Sequence, residues 1–76
     1  MPVELNDICK TVGLVLGRRN VAAANRLAED LGAESADVLN IVVTMEEKYG
    51  ISIDDADVPS VHTVEDLHNL VCRSVA

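Results

Sequence analysis

Along residues 3–16 the apolar side chains Leu5, Ile8, Cys9, Val12, Val15 and Leu16 recur in steps of three and four, the spacing of one helix face. Pro2 stands at the start of this stretch, where a proline costs no helical hydrogen bond. Gly13 weakens the interior slightly, and Gly17 with Arg18 and Arg19 supplies a stop whose charge suits a helix carboxyl end. A second stripe, Val38, Ile41, Val42, Met45 and Tyr49, with Leu39 and Val43 at its flanks, predicts a helix over 35–49. Asp37, Asn40, Thr44, Glu46 and Glu47 fill its other faces, and Gly50 follows as a left-handed stop. A third stripe, Val64, Leu67, Leu70 and Val71, predicts a last helix ending near Arg73. Thr63-Val64-Glu65-Asp66 opens it as a capping box with Asp in place of the usual Glu or Gln.

The segments between these stripes are less regular. In 17–34, Asn20 offers a cap for a helix through the alanines of 21–28, yet Val21, Leu27 and Leu31 make a sparse apolar set. The pattern predicts a long connection holding a helical turn or two. Ile51-Ser52-Ile53 alternates like a strand but has no partner, so an extended linker whose isoleucines plug the core is expected. Asp54–Val61 is acidic and interrupted by Pro59, leaving room for at most one short helical turn. The expected fold is all-α: one domain over 1–76, a small bundle of three longer helices and one short one.

Composition sharpens this picture. The chain is 49% hydrophobic with Tyr49 as its sole aromatic residue, so the core must be aliphatic. Cys9 and Cys72 have no CxxC spacing, which excludes a zinc ribbon or thioredoxin-type site; free thiols in a reducing cytosol are expected rather than one long-range disulfide. The first residues lack a basic and apolar leader pattern, and no apolar run reaches membrane-span length, so a cytoplasmic location is expected; the chain is also expected to be a monomer. The net charge of −7 lies in the second half. From Glu34 to Asp66 only Lys48 opposes Glu34, Asp37, Glu46, Glu47, Asp54, Asp55, Asp57, Glu65 and Asp66. Such a face repels nucleic acid and attracts basic protein surfaces or divalent cations.

Catalysis finds little support. The carboxylates fall on polar faces, and His62 and His68 have no nucleophile to activate. His68 and Cys72 are four apart, a spacing that can clamp zinc, but two ligands make no structural site; a surface histidine and a half-buried cysteine are expected. Asp55, Asp57 and Asp66 do not form a calcium loop, because Ser60 stands where its glycine belongs and Pro59 at a ligand position. No specific metal site is expected, only weak Mg²⁺ or Ca²⁺ binding that relieves carboxylate repulsion.

Ser35 stands apart. It follows the turn-forming Gly32 and heads an acidic helix, where its oxygen either caps free amides or faces solvent in a position suited to phosphate. Asp30-Leu31-Gly32-Ala33-Glu34-Ser35-Ala36-Asp37 resembles the D-L-G-x-D-S-L-D attachment motif of acyl carrier proteins. The resemblance continues without a gap through Met45–Ile53, Asp54–Asp57 and Val61–Asp66, covering 27–71 closely and the first helix in pattern only. It implies a carrier rather than an enzyme. Ser35 would be esterified with 4′-phosphopantetheine from coenzyme A by a Mg²⁺-dependent phosphopantetheinyl transferase. Acyl groups would then ride on the terminal thiol as thioesters between enzymes of fatty acid, polyketide or lipid biosynthesis, sheltered by the bundle interior. Basic surfaces of those acyl-loading and acyl-transferring enzymes would dock on Glu34, Asp37, Glu46, Glu47 and Asp55.

Three positions depart from the pattern. Glu34 replaces Asp, Ala36 replaces Leu, and Asn40 replaces the usual Glu, removing one apolar contact and one docking charge. Together they predict a specialised carrier with its own partners. An aminoacyl or peptidyl carrier, and a non-carrier adaptor of the same fold, are the competing readings.

Overall fold

The computed structural model describes residues 3–75; the expected role of Pro2 at the helix start lies outside them. Three α-helices run Leu5–Leu16 (α1), Ser35–Tyr49 (α2) and Val64–Val75 (α3), with a 3-10 helix at Asp55–Ser60 between the last two. The described residues contain one isolated β-bridge, Arg26 with Thr63, and no strand. The all-α expectation therefore holds.

α1 packs against both α2 and α3. The predicted stripes become the core: Ile8 and Val12 from α1, Ile41, Val42 and Met45 from α2, and Val64, Leu67, Leu70 and Val71 from α3 are all buried. Burying such side chains contributes about 1.5–3 kcal/mol each, which an aliphatic core of this size needs. α1 begins two residues later than the pattern implied, because Glu4 is extended and its carbonyl accepts from the Asp7 and Ile8 amides. Gly17 and Gly50 end α1 and α2 as left-handed caps, as expected. α3 runs two residues past Arg73.

The connection 17–34 departs most from its sequence reading. Asn20 caps nothing; it is the non-glycine residue with positive φ, 57°. The turn uses Asn25 instead, whose Oδ1 accepts from the Ala22 amide at 2.7 Å. Helix-like bonding is confined to about one turn, with the Asp30 amide donating to Arg26 O and the Gly32 amide to Ala28 O. The apolar set is sparse yet anchored: Leu27 and Leu31 are buried and Val21 half-buried, and Ala33 is buried as well. The Leu27 amide donates to His62 O at 2.8 Å, and the Val64 and Glu65 amides donate to Asn25 O and Ala23 O. The segment is thus stitched to the start of α3 by backbone bonds that no local pattern encodes.

Ile53 is buried and Ile51 half-buried, as the plug reading requires. Asp55–Ser60 forms six residues of 3-10 helix, longer than the single turn expected. Asp54 opens it by accepting from the Ala56 amide at 2.9 Å, and Pro59 is tolerated although it forfeits one i→i−3 bond, because the element is short and exposed and water can satisfy the carbonyl left unpaired. Cys9 and Cys72 are both free thiols.

Candidate functional site

Gly32 turns the chain into α2 with φ +69°, a conformation glycine adopts without a Cβ penalty. The helix cap that follows is Glu34, and Ser35 is the first helical residue. The Asp37 Oδ2 accepts from the Glu34 amide at 3.0 Å, so the acidic residue three positions on closes the helix start. Of the two roles open to Ser35, capping is therefore taken by its neighbour. Its side chain is exposed at the amino end of a fifteen-residue helix, where unpaired amides and the helix dipole favour a phosphate ester.

Beside that hydroxyl lies a groove of about 440 Å³, lined by Ser35, Val38, Leu39, Asp55, Val58, Pro59 and Val61. Its walls are α2 and the 3-10 helix, and its lining is apolar apart from Ser35 and the Asp55 carboxylate. An exposed, unspent hydroxyl next to an apolar groove fits attachment of a phosphopantetheine arm. A second cleft of about 450 Å³, bordered by Cys9, Lys10, Leu14 and Arg18, shares no residue with it and holds no attachment oxygen.

The predicted docking residues separate into two groups. Glu34, Ala36, Asn40, Glu47 and Asp55 are exposed, and Asp55 joins Ser35 at the groove. Asp37 and Glu46 are half-buried and engaged: Asp37 at the helix start, Glu46 through Oε2, which accepts from the Ile53 amide at 2.9 Å. These two carboxylates shape the backbone on either side of the site. Sequence reading missed Val58, Pro59 and Val61 as groove walls and placed Leu39 and Val43 merely at the flanks of a buried face. Leu39 is 52% and Val43 49% exposed, so α2 presents apolar as well as acidic side chains outward. Their spacing of four was the available signal.

Elsewhere, burial pushes the Tyr49 phenol above its ordinary proton affinity, with the charge of Asp7 adding to it. Its hydroxyl is buried without a hydrogen-bond partner among the described residues, and Lys48 Nζ lies 5.6 Å from its ring centre. Among the described residues no group of three or more His, Cys, Asp or Glu side chains is placed to hold a metal, and no helix is long and apolar enough to cross a membrane.

A family model described as "Phosphopantetheine attachment site" matches residues 6–71. An acyl carrier protein of Syntrophobacter fumaroxidans is 30% identical over 76 residues, spanning all of this chain and 93% of that protein. A chloroplastic acyl carrier protein of Hordeum vulgare is 37% identical over 65 residues, 86% of this chain and 50% of that one. Among solved structures, the acyl carrier protein of Thermotoga maritima superposes with a TM-score of 0.79 at 23% identity, covering 93% of this chain and 85% of that one. The acetyl actinorhodin acyl carrier protein of Streptomyces coelicolor gives the same TM-score at 21% identity, over 99% and 93%; at these identities the likeness speaks for the fold. The chain belongs to the phosphopantetheine-binding acyl carrier protein family.

Proposed function

We propose that Ser35 is the attachment residue, and that the chain shuttles acyl groups between enzymes of fatty acid, polyketide or lipid biosynthesis rather than transforming them itself. The observation that carries this reading is the placement of Ser35: first in α2, exposed, displaced from the cap by Glu34, and facing the Val38–Val61 groove. When bound, 4′-phosphopantetheine supplies a flexible arm ending in a thiol that holds acyl groups as thioesters. The chain's residues present and position. The amino end of α2 offsets phosphodiester charge, and Gly32 makes the left-handed turn that leads into it. Val38, Leu39, Val58 and Val61 offer apolar cover to the first part of a cargo.

Partner enzymes dock through basic surfaces on the exposed acids Glu34, Glu47 and Asp55, steered by the chain's net charge of −7. Ala36 leaves an apolar partner pocket unfilled, which costs about 2 kcal/mol or more where a partner expects a larger side chain. This supports a specialised carrier, working as a cytoplasmic monomer. Complementation of a strain lacking its main carrier tests specialisation, and full rescue counts against it.

The attachment itself is read by intact mass after incubation with coenzyme A, Mg²⁺ and a broad-specificity phosphopantetheinyl transferase. Wild type gains one phosphopantetheinyl group and Ser35→Ala gains none. No gain in wild type, or a gain that survives Ser35→Ala, overturns the assignment.

A further inference from the structure

Far from Ser35 in sequence, three electron-donating atoms converge where the segment before α1 crosses the last turns of α3. His68 Nε2 lies 2.9 Å from the carbonyl oxygen of Val3 and 3.4 Å from Cys72 Sγ, and Cys72 Sγ lies 3.9 Å from the same oxygen. All three residues are half-buried, within reach of solvent ions yet held by the bundle. The four-residue spacing of His68 and Cys72 supplies two ligands on one helix face; the fold adds the third from 65 residues away.

We propose that Val3 O, His68 Nε2 and Cys72 Sγ bind a borderline divalent cation of the zinc class, with water completing a tetrahedron. The nitrogen–sulfur edge agrees, whereas the nitrogen–oxygen separation of 2.9 Å and the sulfur–oxygen separation of 3.9 Å require the Val3 carbonyl to shift by about 0.3–0.5 Å on binding. Tetrahedral zinc with a bond of about 2.3 Å to sulfur and about 2.0–2.1 Å to nitrogen sets those two atoms about 3.5 Å apart, against 3.4 Å here. The mixture of thiolate and imidazole selects against Mg²⁺ and Ca²⁺, which prefer oxygen throughout. Without metal, the ring holds a proton on Nε2 and donates it to Val3 O. With metal, that proton resides on Nδ1 and the thiol proton passes to solvent. New bonds form from metal to sulfur, nitrogen and oxygen, and no electrons are transferred. Bound metal would tie the residues before α1 to α3.

The test uses the full chain, untagged and without the phosphopantetheine arm, whose thiol would compete. Titrating Co²⁺ is expected to produce a sulfur-to-cobalt charge-transfer band and tetrahedral visible bands that Zn²⁺ abolishes. Cys72→Ser removes the charge-transfer band, and Cys9→Ser leaves it intact. Loss of an outer-shell partner alone weakens metal sites about 10–100-fold, so His68→Asn should weaken cobalt binding at least about tenfold. In wild type, independently of any variant, Zn²⁺ slows alkylation of Cys72 but not of Cys9 and raises the melting temperature. A missing charge-transfer band, a band that persists in Cys72→Ser, unchanged affinity in His68→Asn, or unprotected Cys72 each overturns the proposal, leaving a simple hydrogen bond between His68 and Val3.

Discussion

Asp66 Oδ2 accepts from two successive backbone amides, those of His62 and Thr63, each at 3.0 Å, while Thr63 Oγ1 accepts from the Asp66 amide at 3.0 Å. The two backbone bonds hold the Asp66 carboxyl below its usual range. A carboxylate whose folded pKa is depressed stabilises the fold above its unfolded value of about 3.9, and that stabilisation is lost as pH falls through the folded value. Urea melts should therefore show wild type losing its advantage over Asp66→Asn as pH drops below about 4. Thr63→Ala removes the reciprocal bond and should cost about 1 kcal/mol at neutral pH, read as a lower urea midpoint with unchanged slope. This box was legible in the sequence because its partners are three residues apart. The box at Glu34 and Asp37 has the same spacing, but Ser35 is itself a strong cap former. Helix boundaries are legible only to a residue or two, so the sequence left both roles open for Ser35. Deciding them needed the backbone: Glu34 is extended at φ −92°, ψ 172°, and Ser35 is already helical.

Among the elements, the helices were readable and the joins were not. A stripe with steps of three and four states which face is buried, and all four stripe residues named for α3 are buried. The connection 17–34 gave no such stripe, since it is held in place by three backbone bonds to residues 62–65, from the Leu27 amide and to the Ala23 and Asn25 carbonyls. Its buried Leu27 should behave as a core residue. Leu27→Ala should cost about 2–5 kcal/mol in chemical denaturation, where a partly anchored loop would lose far less. A contrary sign is expected at Gly13. Alanine is ordinarily favoured over glycine inside a helix by about 1 kcal/mol. At Gly13 a Cβ would stand 2.8 Å from Arg18 O, because the chain folds back against α1 just past its cap. The Arg18 amide also donates to Gly13 O at 2.9 Å. Gly13→Ala should therefore destabilise, by about 1–3 kcal/mol, despite its better propensity.

For the whole molecule, charge is the governing quantity. A net charge of −7 on 76 residues, concentrated between Glu34 and Asp66, makes the folded state repel itself. The described residues contain two ion pairs, both exposed and both from Arg26, to Glu29 and Asp30. Such pairs contribute little, so screening should help more than it harms. Millimolar Mg²⁺ and added NaCl should each raise the melting temperature, a gain of 1 kcal/mol reading as about 4–8 °C in a domain of this size. Melts insensitive to both would show that the acidic face is already well solvated.

The sequence by itself determined the three α-helices, their faces and stops, the aliphatic interior, the acidic half and the motif around Ser35. Each is a matter of composition or of residues within a few positions, where propensity and periodicity act directly. Tertiary structure alone decided that the 3-10 helix walls a groove beside Ser35, that Asp37 and Glu46 bind backbone, and that Leu27 is core. It also brought Val3 to His68 and Cys72 across 65 residues or more of chain. Those meetings depend on how α1 packs against its neighbours, and packing is a property of the assembled bundle that no single segment carries.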